Sequence, residues 1–167
     1  MRKLHIGLDL ATGKIICSDL TKDNVADTTA LPRLLDQIDT PVSHFLADGA
    51  YDSTSTNTLL RARFGDTVEI IIPPPKNAAL SPKSPHDPTL RDQRIIEIQT
   101  RGRMAWQSDS GYNQRSRIET QIGRWKAVIG SKLKARSFEN QQTEAKIGVA
   151  ILNKMTELGR PMFKQIA

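Results

Sequence analysis

The chain has 167 residues, 38% of them hydrophobic and 25% charged. That is the length of one ordinary domain with enough apolar content to bury a core, and it excludes a disordered chain. No apolar run approaches the roughly 20 residues of a membrane-spanning helix, and the single cysteine, Cys17, excludes an internal disulfide framework and a cysteine-based zinc site.

Met1–Leu10 is too short in its apolar part for a secretory leader and reads as the start of a strand, so a reducing, cytoplasmic location is expected. The net charge of +6 is unevenly spread. Residues 1–60 hold five Lys or Arg against eight Asp or Glu, and residues 61–167 hold nineteen against ten. Within 112–136, Arg115, Arg117, Arg124, Lys126, Lys132, Lys134 and Arg136 accompany one acid, Glu119. Such a stretch suits a polyanion, and it is also what a solvated basic helix face looks like.

Leu4–Leu10 alternates as a strand, Ala11-Thr12-Gly13 supplies a turn, and Lys14–Leu20 returns as the second strand of a hairpin. Thr28–Ile38 has Leu31, Leu34, Leu35 and Ile38 at helical spacing, with Asp27 or Thr28 as cap and Pro32 placed in the first turn. Ser43–Asp48 reads as a short strand, Ser53–Phe64 as a helix closed by Gly65, and Thr67–Ile72 as a β-branched strand stopped by Pro73-Pro74-Pro75. Residues 76–88 form a Pro/Ser-rich loop with the composition of a flexible segment.

Asp87–Thr100 reads as a helix with Pro88 at its first position. Gly102 and Ser108–Gly111 break the chain, Tyr112–Ile129 is a long helix, and Gly130–Ser137 is a basic connector. Glu139–Leu158 is the last helix, ended by Gly159 and Pro161. A hairpin followed by strands alternating with helices predicts a mixed α/β sheet.

Two places can carry chemistry. Asp48 stands at a strand end, where open α/β sheets gather functional groups, and Gly49 lets a ligand approach the backbone; Asp-Gly is equally the sequence of a plain turn. In the helix Tyr112–Ile129, Ile118, Ile122, Trp125 and Ile129 form an apolar stripe. Tyr112, Arg115, Glu119 and Lys126 follow one another at intervals of 3, 4 and 7 along a second face, with Gly123 between the last two. A carboxylate flanked by cations is what a metal–phosphate site needs, and an i,i+4 salt bridge is the simpler alternative. Two-metal phosphoryl transfer uses acids from different elements. Asp48 and Glu119 qualify, a third acid is needed, and Asp9 and Asp52 are nearby by sequence, Asp52 also being placed to cap the next helix.

Tyr112-x-x-Arg115-x-x-x-Glu119-x-x-x-x-x-x-Lys126 resembles the Y-(2)-R-(3)-E-(6)-K signature of bacterial insertion-sequence DDE transposases, and Asp48-Gly49-Ala50-Tyr51 resembles the block around that family's second aspartate. The resemblance runs over nearly the whole chain, including RKLHIGLDLATGKI, IIPPPKNA, GRMAWQ and IGVAILNKM. It implies one RNase H-like domain, a mixed sheet flanked by helices. Asp48 and Glu119 would then be the second and third catalytic acids, holding Mg²⁺ or Mn²⁺. Tyr112, Arg115 and Lys126 would contact DNA, with Arg124, Lys132 and Lys134 of the basic stretch beside them.

Trp106 is placed either in the core or for stacking on a base. In relatives a central first strand with the first catalytic Asp precedes RKLHIGLD. The chain is therefore expected to lack that strand, to be inactive alone, and to need an upstream transposase fragment or a homodimer. The implied activity is metal-dependent cleavage of transposon ends and transfer to target DNA in a bacterial, nucleoid-associated setting. The alternative is a non-catalytic DNA-binding or regulatory fragment that assembles with a separate upstream polypeptide.

Overall fold

A computed structural model describes residues 2–82 and 84–159. The chain forms two compact units, one made of Met1–Asp39 with Ser116–Ala167 and the other of Thr40–Arg115. The expected α/β class holds, with six α-helices and two small sheets among the described residues.

In the first unit, β1 (Arg2–Leu8) pairs antiparallel with β2 (Ile15–Lys22), in register from Arg2 opposite Lys22 to Gly7 opposite Cys17, with an irregularity between Gly7 and Leu8. The Asp9 carboxylate accepts the main-chain N–H groups of Ala11 at 3.0 Å and Thr12 at 3.2 Å, and Gly13 closes the turn at φ 73°. Alternation of side chains gives the sheet two faces. His5 meets Thr21 at 2.9 Å and Asp27 of α1 (Asp27–Leu35) at 3.3 Å on one side.

On the other side Leu4, Ile6 and Leu8 pack against a core of Ile15, Leu20, Trp125, Ala145 and Leu152. That core is supplied in part by α5 (Ser116–Val128) and α6 (Phe138–Glu157). Trp125 lies on Gly148 so closely that a β-carbon there would stand 2.4 Å from the indole.

The free edge of β2 is closed by side-chain amides. Asn153 both accepts from the Ile15 N–H and donates to the Ile15 carbonyl, each at 2.8 Å. Gln37 does the same at Ser18, at 3.0 and 3.2 Å, and Gln142 donates to the Leu20 carbonyl at 3.2 Å. Each carboxamide takes the place of a peptide group of a neighbouring strand, so main-chain groups that a third strand would satisfy are already paired.

In the second unit, β3 (His44–Leu46) pairs parallel with β4 (Glu69–Ile71), His44 opposite Glu69 and Leu46 opposite Ile71. α2 (Thr54–Phe64) connects them, capped by the Ser53 hydroxyl on the Thr56 N–H at 3.1 Å and ended by Gly65 at φ 89°. The far edge of β4 is met at the Ile70 carbonyl by the Arg94 guanidinium of α3 (Leu90–Arg101). Leu60 and Ile72 are fully buried.

Several expectations shift. Among the described residues the strands make two two-stranded sheets, β1–β2 and β3–β4, in place of one mixed sheet. Pro32 lies inside α1, not in its first turn, since the helix starts at Asp27, with Ala26 as a cap that has no side-chain bond. α3 starts at Leu90, where Thr89 and Asp92 form a reciprocal capping box, so Pro88 precedes the helix. The stretch expected to break the chain after Gly102 holds a further helix, α4 (Arg103–Asp109). Pro161 lies outside the described residues.

The Trp125 seat gives a direct test. Alanine for glycine within a helix ordinarily gains about 1 kcal/mol, but overpacking a core costs roughly 1–3 kcal/mol. Gly148→Ala is expected to lower the urea midpoint, and pairing it with Trp125→Leu is expected to recover part of the loss. A Gly148→Ala protein more stable than the parent would refute the packing.

Candidate active site and nucleic-acid surface

Asp48 follows β3 and caps a 3₁₀ turn, Gly49–Tyr51, by accepting the Ala50 N–H at 3.0 Å. Gly49 is needed there for space: a β-carbon would lie 3.1 Å from the Pro73 carbonyl oxygen. The second carboxylate oxygen of Asp48 faces the Arg115 guanidinium at 3.4 Å, and the Asp48 side chain is 42% exposed. Arg115 belongs to a second 3₁₀ turn, Tyr112–Arg115, entered through Gly111 at φ 72°. Two blocks 67 residues apart in sequence thus meet at one carboxylate.

That 3₁₀ turn corrects the expected continuous helix. Tyr112 and Arg115 sit on a tighter turn, while Glu119 and Lys126 sit on α5, so the four do not share one helix face. Glu119, Gly123 and Lys126 do form an exposed line along α5, with open space around Gly123. Of the expected apolar stripe only Trp125 is fully buried; Ile118, Ile122 and Ile129 are half-buried, and Gln121 takes a buried place. Trp106 is buried at 3% exposure and tilted against Tyr112 with ring centroids 5.7 Å apart. This is the core role, and it leaves no open face on Trp106 for a base.

The other acids have other duties. Asp9 is taken up by its turn; the Thr12 hydroxyl, and after it the N–H groups of Ala11 and Thr12, hold its carboxyl below the usual range. Asp52 does not cap α2, a role taken by Ser53. Its side chain is 1% exposed and bound to Arg91 Nε at 2.9 Å, while Arg91 also donates to the Ala79 carbonyl at 3.2 Å. Among the described residues no three His, Cys, Asp or Glu side chains come together as a metal cluster.

Nor do all the cations face solvent. Arg117 donates to the Leu10 carbonyl at 2.6 Å, and Arg124 binds Gln121 and Thr156, each at 3.1 Å. Lys126, Lys132, Lys134 and Arg136 remain exposed. The connector that carries the last three is held by Glu144, whose carboxylate accepts the N–H groups of Lys134 at 2.9 Å and Ala135 at 2.8 Å.

The Asp–Gly block, the residues from Tyr112 to Lys126 and the basic connector all fall within a match to a family model, the transposase DDE domain, over residues 1–154. The chain belongs to the transposase DDE domain family. No solved structure matches it. Among the described residues of this transposase-family chain, no helix is long and apolar enough to cross a membrane.

Asp92 was invisible as a key residue in the sequence. It is fully buried and accepts from the Ser81 N–H and hydroxyl at 2.7 Å each, and from the Thr89 N–H at 3.0 Å and hydroxyl at 2.7 Å. The Ser81 N–H first, and then the two hydroxyls, hold its carboxyl far below the usual range. It ties the Pro/Ser-rich loop to the start of α3, whose Arg91 grips Asp52 in the turn after Asp48.

The folded-state pKa is depressed, so the stabilisation is complete above the ordinary value of about 4 and is lost as pH falls toward the folded value. Asp92→Asn is expected to unfold at lower urea than the parent at neutral pH, with the gap narrowing below about pH 4. A gap independent of pH would show that the carboxylate charge is not what these donors hold.

Proposed function

We propose that the chain is part of a transposase that cleaves DNA at insertion-sequence ends and transfers the freed ends to target DNA. In this reading Asp48 and Glu119 are two of the carboxylates that hold Mg²⁺ or Mn²⁺. The observation that supports it is the contact of Arg115, from the Y-(2)-R-(3)-E-(6)-K stretch, with Asp48 of the Asp-Gly block. Asp48, with a side chain 42% exposed, and Glu119, exposed on α5, each offer the carboxylate oxygens that a divalent cation, a hard ion, takes. When bound, such ions neutralise the phosphodiester and lower the pKa of an attacking water.

The chain's own groups do the rest. Arg115 offers a planar donor fork both to Asp48 and to a phosphate oxygen. Gly123 leaves room for a backbone beside Glu119 and Lys126. Lys126, Lys132 and Lys134 supply positive charge along the strand, and Tyr112 and Arg124 are assigned to DNA with them, Arg124 after leaving Gln121 and Thr156. In cleavage, water adds to phosphorus as the 3′-oxygen leaves and takes up a proton. In transfer, that 3′-hydroxyl adds to a target phosphodiester and loses its proton as the target 3′-oxygen leaves.

The test is a cleavage and joining assay on insertion-sequence-end DNA with Mg²⁺, run with the chain alone and with a polypeptide carrying a further Asp-bearing strand. Activity is expected only in the mixture, and Asp48→Ala or Glu119→Ala should lower it by about 100-fold or more while DNA binding persists. Cleavage that survives both substitutions would overturn the assignment.

The exposed connector cations favour a second reading, a DNA-binding regulatory fragment that assembles with a separate upstream polypeptide. It predicts binding that weakens steeply with salt and no strand cleavage in any mixture.

A further inference from the structure

The basic connector between α5 and α6 is held through its backbone. Glu144, on α6, accepts the Lys134 N–H at 2.9 Å on each of its two oxygens and the Ala135 N–H at 2.8 Å. Gln141, on the same helix, donates to the Ala135 carbonyl at 2.9 Å. Ala135 is thus gripped at both its N–H and its C=O. Leu133 packs against the core of the first unit, and the Ser137 hydroxyl accepts the Asn140 N–H at 3.2 Å to start α6. Side chains alternate along the segment: Leu133 and Ala135 are half-buried, while Lys132, Lys134 and Arg136 are exposed.

A carboxylate set among cations ordinarily neutralises one of them. Glu144 instead commits its charge to main-chain donors, and among the described residues no lysine or arginine side chain lies within ion-pair distance of it. The Ala135 N–H first, and the Lys134 N–H next, hold its carboxyl below the usual range, so it is ionised at neutral pH. The three cation heads therefore stay available while the chain that carries them is fixed. A loop ordered before its ligand arrives has less conformational freedom to lose on binding.

We propose that Glu144 is a positioning residue for DNA: although negative itself, it strengthens the hold of Lys132, Lys134 and Arg136 on a phosphate backbone. The proposal rests on the DNA-binding reading of the connector and needs neither a metal nor strand cleavage.

The test is binding of the full chain to a DNA duplex without Mg²⁺, over a series of salt concentrations. Glu144→Gln removes the charge and leaves one acceptor oxygen for two N–H groups. Glu144→Asp keeps the charge and lacks the reach. Both are expected to bind about tenfold more weakly than the parent at fixed salt. The slope of log affinity on log salt should not change, because the phosphate contacts stay the same in number. Glu139→Gln removes an exposed acid from the first turn of the same helix and should bind as tightly as the parent or more tightly. A plain surface charge at Glu144 would give the opposite pattern, tighter binding for Glu144→Gln and no change for Glu144→Asp. That pattern would overturn the proposal.

Hydrogen exchange without DNA supplies the second measurement. The Lys134 and Ala135 amides should be protected in the parent and should exchange faster in both Glu144 variants. Unprotected amides in the parent would also overturn the proposal, and this result decides if a variant fails to fold by circular dichroism. A parent chain that binds no DNA at low salt would instead sink the DNA-binding reading, and the positioning role with it.

Discussion

A strand that leaves its outer N–H and C=O groups unpaired away from water is costly, and a sheet of two strands has as many outward groups as inward ones. That constraint governs both units. In the first, Asn153, Gln37 and Gln142 satisfy the outer edge of β2. In the second, Arg94 reaches the Ile70 carbonyl on the outer edge of β4. Asn153, Gln142 and Arg94 sit on helices, and Gln37 in the turn just after α1, so helix packing and closing of the polar edge are one act of folding. Two small sheets thereby hold their shape with very little strand.

The candidate chemistry rests on turns more than on strands. Asp48 is aimed by the Ala50 N–H and by a glycine squeezed against Pro73, and the following turn is anchored through Asp52 and Arg91 to a helix whose start is fixed by Asp92. Asp92 touches no proposed ligand, yet it fixes the helix that grips that turn. Rigidity around Asp48 is thus supplied by buried neighbours, while its own side chain stays part-exposed against Arg115.

Much of this was legible in the sequence. The hairpin, the two parallel-strand segments and the helices closed by Gly65 and after Glu157 follow from alternation, periodicity and glycine. The Asp48 block and the Tyr112–Lys126 spacing also pointed to the family that the match over residues 1–154 shows. What was hidden depends on tertiary partners. Pro32 is tolerated inside α1 because that helix is fixed by burial of Ala30, Leu31, Leu34 and Leu35. The 3₁₀ turn ahead of α5 splits a pattern whose spacing alone fits one helix. Asp52 reads as a helix-cap residue and Asp92 draws no attention in the sequence; only the fold shows one paired with Arg91 and the other tying down a loop. Asp9-x-x-Thr12 does carry the sequence of a side-chain-closed turn, a signal that speaks against a catalytic role for Asp9.

The inward turn of Arg117 and Arg124 has a consequence for how a polyanion would be felt. Each phosphate neutralised by a protein cation frees condensed counterions, and the salt sensitivity of binding counts those events, not the formal charge. Seven cations crowd residues 112–136, but two are committed to a main-chain carbonyl and to a Gln–Thr pair, and Arg115 leans on Asp48. Before Arg115 and Arg124 exchange these partners for phosphate, the ionic-strength dependence set by this stretch would be that of about four contacts, near 60% of what its composition suggests. Folding has drawn part of the charge into its own architecture and left a smaller, firmer footprint, with Glu144 holding the loop that bears most of it.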